Sequence, residues 1–351
     1  MTLAEGDLEA GASTDAVLAG ALDEEATIDL AADEQAERRR SYEELVRRLS
    51  RQSVEKHFNP FVDIAWDDPA NAIDPTDPRW IGGVEAFGDT DWYRSLDEGT
   101  RARMGLYRIA AAMKTGLEFE NVLKRGLLEY AFKLPNGAAE FRYVYHEVIE
   151  ESYHGLMFQE FVNRSGFDIT GMPWAIRLAS RQVVTLARTF PELFFLFVLG
   201  GEDPIDHQQR KILRNETPHP LLERIMRIHV TEEARHLSFA RHHLKQRVPA
   251  LGRARRFALS IAAPILLGIM ARQMLLPPSG LVKHFGMPPE LAREVARSRD
   301  ARREVRDSLA KVRRLCVDLG LVTPLAKRLW IAAGLWDRRA DADRSPAPAA
   351  A

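Results

Sequence analysis

Glu151-Ser152-Tyr153-His154 and, 82 positions later, Glu233-Ala234-Arg235-His236 are the two runs on which the fold turns. Each is a Glu-x-x-His pair, and at 3.6 residues per turn both side chains project from one face of a helix. The first pair lies on the stripe Val144, Val148, Glu151, His154, Gly155, Phe158 and Phe161. The second lies on Leu222, Met226, His229, Glu233, His236, Ala240 and His243. A carboxylate and an imidazole on a core-facing stripe are costly unless something neutralises them. Two such pairs on long helices form the pattern of a carboxylate-bridged dimetal site in a four-helix bundle, provided two further helices each supply a Glu.

Helical periodicity surrounds both runs. It predicts helices over about 100–134, 140–163, 173–190, 191–214 and 221–248, punctuated by Pro135-Asn136-Gly137, Gly166, Pro191 and Pro218-His219-Pro220. No Val/Ile/Thr-rich alternation reads as a strand, so the expected fold is all-α: a ferritin-like four-helix bundle core with additional helices and an irregular N-terminal wrap. On the helix over 100–134, Glu120 follows the apolar stripe of Met113, Leu117 and Leu123, whereas Glu118 lies about 160° away. Glu120 is favoured and Glu118 stays open. On the helix over 191–214, Glu202 follows an apolar run and Gly200-Gly201, ahead of Pro204. That weakened helix suggests room for a substrate or a mobile ligand. Glu192 sits in the first turn, where the helix dipole suffices to explain an acid.

His229, one turn before Glu233, adds a third ligand to the second run. Glu232 points off that stripe, so Glu233 is preferred. Glu150 is expected to support a ligand from behind. His146, His207, His219, His242 and Arg235 are not counted as ligands. Pocket candidates one turn from the ligands are Phe158, Phe195 and Leu199.

The remainder of the chain sets bounds. A formal net charge of -1 argues against a general binder of nucleic acid or anionic membrane. The single cysteine, Cys316, excludes an internal disulfide or a Cys-rich metal site and fits a reducing, cytoplasmic compartment. Residues 1–37 carry eleven acidic residues and no Lys or Arg, a composition expected to stay disordered, and there is no secretory signal. Residues 38–99 are expected to hold a charged helix and a Pro/Trp-rich wrap, pinned by Trp66, Trp80 and Trp92. The core spans 100–250, and 251–337 should pack on it as C-terminal helices. These include an apolar one over 257–271, too short for a membrane span, and an Arg-rich one over about 289–319. The tail from 338 is expected to be disordered.

The order Glu, Glu-x-x-His, Glu, then His-x-x-x-Glu-x-x-His resembles the para-aminobenzoate N-oxygenase (AurF-like) diiron proteins, over about residues 100–250. The third histidine is the specific element, because ordinary ferritin-like diiron enzymes have two. The resemblance implies the ligand set Glu120, Glu151, His154, Glu202, His229, Glu233 and His236, with Glu202 and Glu233 also the candidate catalytic residues. It implies two Fe ions (manganese is the alternative metal), dioxygen as co-substrate, a homodimer, and oxidation of an aromatic amine through hydroxylamine towards nitro. One departure is Glu150, where the family commonly has Asp. With no Gly-x-Gly-x-x-Gly fingerprint in the chain, electrons are expected from an external donor. Two other functions fit the same ligands: a hydroxylase or desaturase acting on a hydrophobic substrate, and a non-enzymatic ferritin-like iron-binding protein.

Overall fold

The computed structural model describes residues 35–82, 87–214, 217–278 and 280–336. The chain divides into two compact units, Met1–Leu45 and Val46–Ala351. The described part of the first, residues 35–45, is helical. Most of the acidic segment over 1–37, and all of the tail from 338, lie outside the described residues. Among the described residues of the second unit every regular element is helical and there is no strand, so the all-α expectation holds.

The second unit opens with helix α1 over residues 46–55, then α2 (Pro60–Asp63) and α3 (Asp91–Arg94). The Asn-Pro and Asp-Pro dipeptides between them do more than turn the chain. Three of the four make a cap followed by Pro in the first turn: Asn59 accepts from the N–H of Phe61, Asp68 from Ala70 and Asp77 from Arg79. Proline suits that place because its missing N–H would have no partner there. The resulting short turns let the wrap bury its aromatic residues. Trp66 Nε1 donates to the carbonyl of Pro60, and the wholly buried Trp80 donates to Asp74 and stacks on His219 at 4.1 Å. Trp92 is only partly buried against the same cluster.

Four long helices follow the predicted plan: α4 (Glu98–Ala131), α5 (Ala139–Arg164), α7 (Pro191–Ile212) and α8 (Pro220–Arg247), with α6 (Trp174–Thr189) between the pairs. Asp97 caps α4 by accepting from the N–H of Thr100 at 2.8 Å. Short connections make α4/α5 and α7/α8 hairpins, and α4–α7 and α5–α8 contacts close the bundle. Gly137 and Gly166, both at positive φ, end the turn before α5 and the helix itself.

Helix α9 (Arg253–Leu275) packs on α7 through Leu259, Ala263, Leu267 and Ala271, while Phe257, Ile265 and Ile269 stay exposed. By length and composition alone Arg253–Phe285, which begins with α9, would pass for a membrane span; 44% of its apolar window is buried within the structure. After α10 (Gly280–Phe285), the single Arg-rich helix expected over 289–319 is instead three: α11 (Pro289–Arg297), α12 (Arg299–Ser308) and α13 (Ala310–Asp318). Ser298 is the cause of the first break, since it is extended and caps α12 by accepting from Ala301 N–H at 3.0 Å. This lets each short helix turn its own apolar side, Val295, Val305 and Val312, inward. Helix α14 (Pro324–Ala332) then returns to α9.

The glycines beside Glu202 serve packing. A methyl group on Gly201 would strike the ring of Phe119, and one on Gly200 would lie 3.1 Å from Leu267. They therefore draw α7 against α4 and α9, where the sequence had suggested room for a substrate.

Candidate metal centre

Seven side chains converge in the bundle interior: Glu120 from α4, Glu151 and His154 from α5, Glu202 from α7, and His229, Glu233 and His236 from α8. All are wholly buried. Three overlapping groups each place one donor atom per residue within 4.8 Å of the others: Glu120/His154/His229, Glu151/His154/Glu233 and Glu202/His229/Glu233. Both Glu-x-x-His pairs meet there because the antiparallel hairpins turn their apolar stripes to a common axis. The alternative first-helix acid, Glu118, is elsewhere: it accepts the N–H of Met172 at 2.6 Å and faces Arg177. Glu192 likewise stays away, beside Arg255 at 3.7 Å.

Each histidine turns one ring nitrogen inward and anchors the other. His154 Nδ1 lies 3.6 Å from Glu151 and 3.7 Å from Glu233, while its Nε2 bonds Glu232 at 2.9 Å. His236 Nδ1 lies 3.0 Å from both Glu151 and Glu233, with Nε2 bonded to Glu150 at 2.7 Å. His229 Nε2 lies 3.4 Å from Glu120 and 3.8 Å from Glu233, with Nδ1 on Gln209 at 2.8 Å. The outer partners offer oxygens that only accept, so the outward nitrogens carry hydrogen and the inward ones are left to bind. Arg235 ties this outer ring together, donating to Glu150 at 2.8 Å and standing 3.6 Å from Glu232.

The supporting role foreseen for Glu150 is therefore visible in the structure. Two supporting residues were not foreseen, Glu232 and Gln209, both buried. The angular rule that set Glu232 aside was correct about its direction. It faces the wrap, where Glu232 also accepts the backbone N–H of Phe58 at 3.2 Å. A signal for Gln209 existed in its position two turns beyond Glu202. Of the pocket candidates, Phe158 stacks on His229 at 5.0 Å. Phe195 packs instead on Tyr130, Phe239 and His243, and Leu199 is a buried core residue.

The electrostatics show what the cluster lacks. Burial, together with the neighbouring carboxylates, pushes Glu120 and Glu202 well above the usual carboxylate range, and burial raises Glu233 too. Burial also opposes ionisation of Glu151, but the adjacent His154 and His236 imidazoles outweigh it and hold this carboxyl low. Despite burial, His154 and His236 rise because carboxylates surround them, whereas burial and the nearby His154 drive His229 down. One turn before Glu151, burial lifts Glu147 to about 8. Glu120 Oε2, both Glu202 oxygens, Glu233 Oε2 and His154 Nδ1 have no hydrogen-bond partner. Buried carboxylates without partners are strongly unfavourable, and cations at their centre would satisfy the free oxygens and the inward nitrogens together. The donor set thus fits a metal pair.

The sequence matches the family described as "P-aminobenzoate N-oxygenase AurF" over residues 39–320. Among similar proteins are an "uncharacterized protein" of Mycobacterium tuberculosis (strain H37Rv) and another of Mycobacterium bovis. Each is 41% identical over 292 residues, covering 82% of this chain and 86% of the relative. No solved structure matches. With a match that spans most of its length, the chain belongs to the P-aminobenzoate N-oxygenase AurF family.

Proposed function

We propose that the centre holds two iron ions and that the protein is a diiron oxygenase oxidising the nitrogen of an aromatic amine. Family membership supports an oxygenase-type enzyme. The observation that carries the reading is the convergence of unpartnered carboxylate oxygens and inward imidazole nitrogens on one buried volume. Glu120, Glu151, His154, Glu202, His229, Glu233 and His236 would be the ligands. Imidazole and carboxylate without thiolate suit iron, with manganese the nearest alternative.

Bound ferrous iron would supply the electrons that activate dioxygen. The chain's own residues do the rest. Glu150, Glu232 and Gln209 keep the histidines in the tautomer that turns a lone pair inward. Glu233, like His154 and His229, belongs to two of the donor groups and would help to hold metal in either. Glu202, with neither oxygen engaged, is the ligand most free to change its contacts. Phe158 covers the His229 side and excludes water from it. Glu147 is positioned to hold a proton one turn from Glu151. An external electron donor and a homodimer belong to the same proposal.

Metal analysis after growth with ample iron tests it. About two irons per chain, falling sharply in Glu233→Ala with helical content retained, are expected. An arylamine screen under dioxygen with a reductant should then yield hydroxylamine or nitro products. One ion or none, even after anaerobic ferrous loading, overturns the reading.

A further inference from the structure

All seven candidate ligands are wholly buried, so a metal ion needs a way to reach them. Two flanks of the centre are closed by apolar rings: Phe158 stacks on His229, and Phe119 packs against Gly201 between α4 and α7. A hydrated cation crossing such walls would shed its water without meeting a compensating oxygen. The seam between α5 and α8 differs. The two backbones approach less closely there than within either hairpin, and polar side chains span the gap.

Two carboxylates line this seam. Glu150 Oε2 lies 2.7 Å from His236 Nε2, and Glu232 Oε2 lies 2.9 Å from His154 Nε2, so each acid stands directly behind an imidazole of the centre. Their other oxygens turn to one guanidinium. Arg235 Nη2 donates to Glu150 Oε1 at 2.8 Å and stands 3.6 Å from Glu232 Oε1. Arg235 is the most exposed of the three, at 6%. Beside it, the partly exposed His146 lies one turn before Glu150 and has Glu150 and Arg235 among its electrostatic neighbours. The cluster therefore lies just beneath the surface, with Arg235 outermost.

Arg235 occupies the place where an entering cation would first meet carboxylate oxygens. Its charge is permanent, because a guanidinium does not deprotonate, and it repels a second cation. Its hold is slight. Nη2 makes both contacts, and Nε, though buried, has no hydrogen-bond partner. A guanidinium serving only as a brace would engage a carboxylate with two nitrogens in a fork, and this one does not. Swinging aside would break one short hydrogen bond and uncover two anionic side chains that lead to His154 and His236.

We propose that Arg235 gates the entry of a divalent cation: its displacement opens a path between Glu150 and Glu232, whose outer oxygens receive the ion on its way to the centre. The inference rests on the reading of the centre as a metal site.

Stopped-flow mixing of metal-free, full-length protein with Co2+ tests it. The visible absorption of the bound ion reports the rate, and chelator competition reports affinity. Arg235→Gln should bind Co2+ about tenfold faster than wild type, because the paired acids are left uncovered. Glu150→Gln keeps an oxygen for His236 Nε2 but loses the charge, and should bind about tenfold more slowly. A brace without a gating role would leave association unchanged or slow it, and would appear only as weaker affinity in Arg235→Gln. Because uncovered buried acids can destabilise the fold, Arg235→Lys is the second variant. Its ammonium is more strongly hydrated and leaves the acids more readily, so association should quicken about threefold. Far-ultraviolet circular dichroism checks that each variant is folded. Association no faster in either arginine variant overturns the gate, and an unchanged rate in Glu150→Gln overturns the path. Wild-type protein that binds no Co2+ would sink the metal-centre reading and the gate with it. Binding at rates indifferent to these substitutions would sink the gate alone.

Discussion

Glu232 Oε2 stands 2.9 Å from His154 Nε2 and joins α8 to α5 behind the face that carries the candidate ligands. Through its other oxygen it accepts the N–H of Phe58, so the N-terminal wrap is tied to the orientation of an imidazole of the candidate centre. Immediately after it in the chain, Glu233 turns inward to the centre. One peptide unit separates a residue that would bind metal from one that orients a ligand.

Glu232→Ala should weaken metal binding without abolishing it. Loss of a partner that orients a ligating histidine typically costs about 10–100-fold in affinity. Chelator competition measures this, with Glu233→Ala as the more severe reference. Equal iron retention in Glu232→Ala and wild type would show that His154 needs no such support.

Gly201→Ala should disturb both stability and the centre. The added methyl meets the Phe119 ring, which neighbours Glu120 in sequence, so α4 and α7 must separate. Overpacking of this kind costs about 1–3 kcal/mol. Denaturant unfolding should show the loss, and iron content should fall with it because Glu120 and Glu202 lie on the displaced helices.

Metal-free protein should lose stability as pH rises from the ordinary carboxyl value of 4.5 towards about 8, the value to which burial lifts Glu147. Across this window the folded state binds the Glu147 proton and the unfolded state does not. Raising the pH therefore favours unfolding. Glu147→Gln removes this proton and should flatten the slope, leaving the variant more stable than wild type at the upper end. A steeper slope in Glu147→Gln would contradict the assignment.

Trp80→Ala should loosen the wrap. Trp80 is wholly buried, stacks on His219 and meets Phe161 edge-on at 6.1 Å. Removing a buried aromatic costs about 3–5 kcal/mol. Hydrogen exchange should quicken first in residues 58–82, ahead of the bundle helices.

The sequence determined the helices of the bundle, because an apolar stripe recurring every three to four residues, closed by Pro and Gly, admits no other regular structure. Four Glu and three His on those stripes could be named for the same reason: a charged group is conspicuous where the pattern demands an apolar one. Three features depended on tertiary structure. Choosing Glu120 over Glu118 required knowing which side of α4 meets α5 and which meets the loop at Met172, and both sides carry apolar neighbours. Glu232 and Gln209 were hidden because a helix covered on several sides can bury a polar residue well off its main stripe. The division of the Arg-rich stretch at Leu309 depended on packing, since α12 lies against α7 and α9 while α13 lies against α7. Local pattern fixes which residues face inward, while the partners they meet depend on chain segments brought together only by packing.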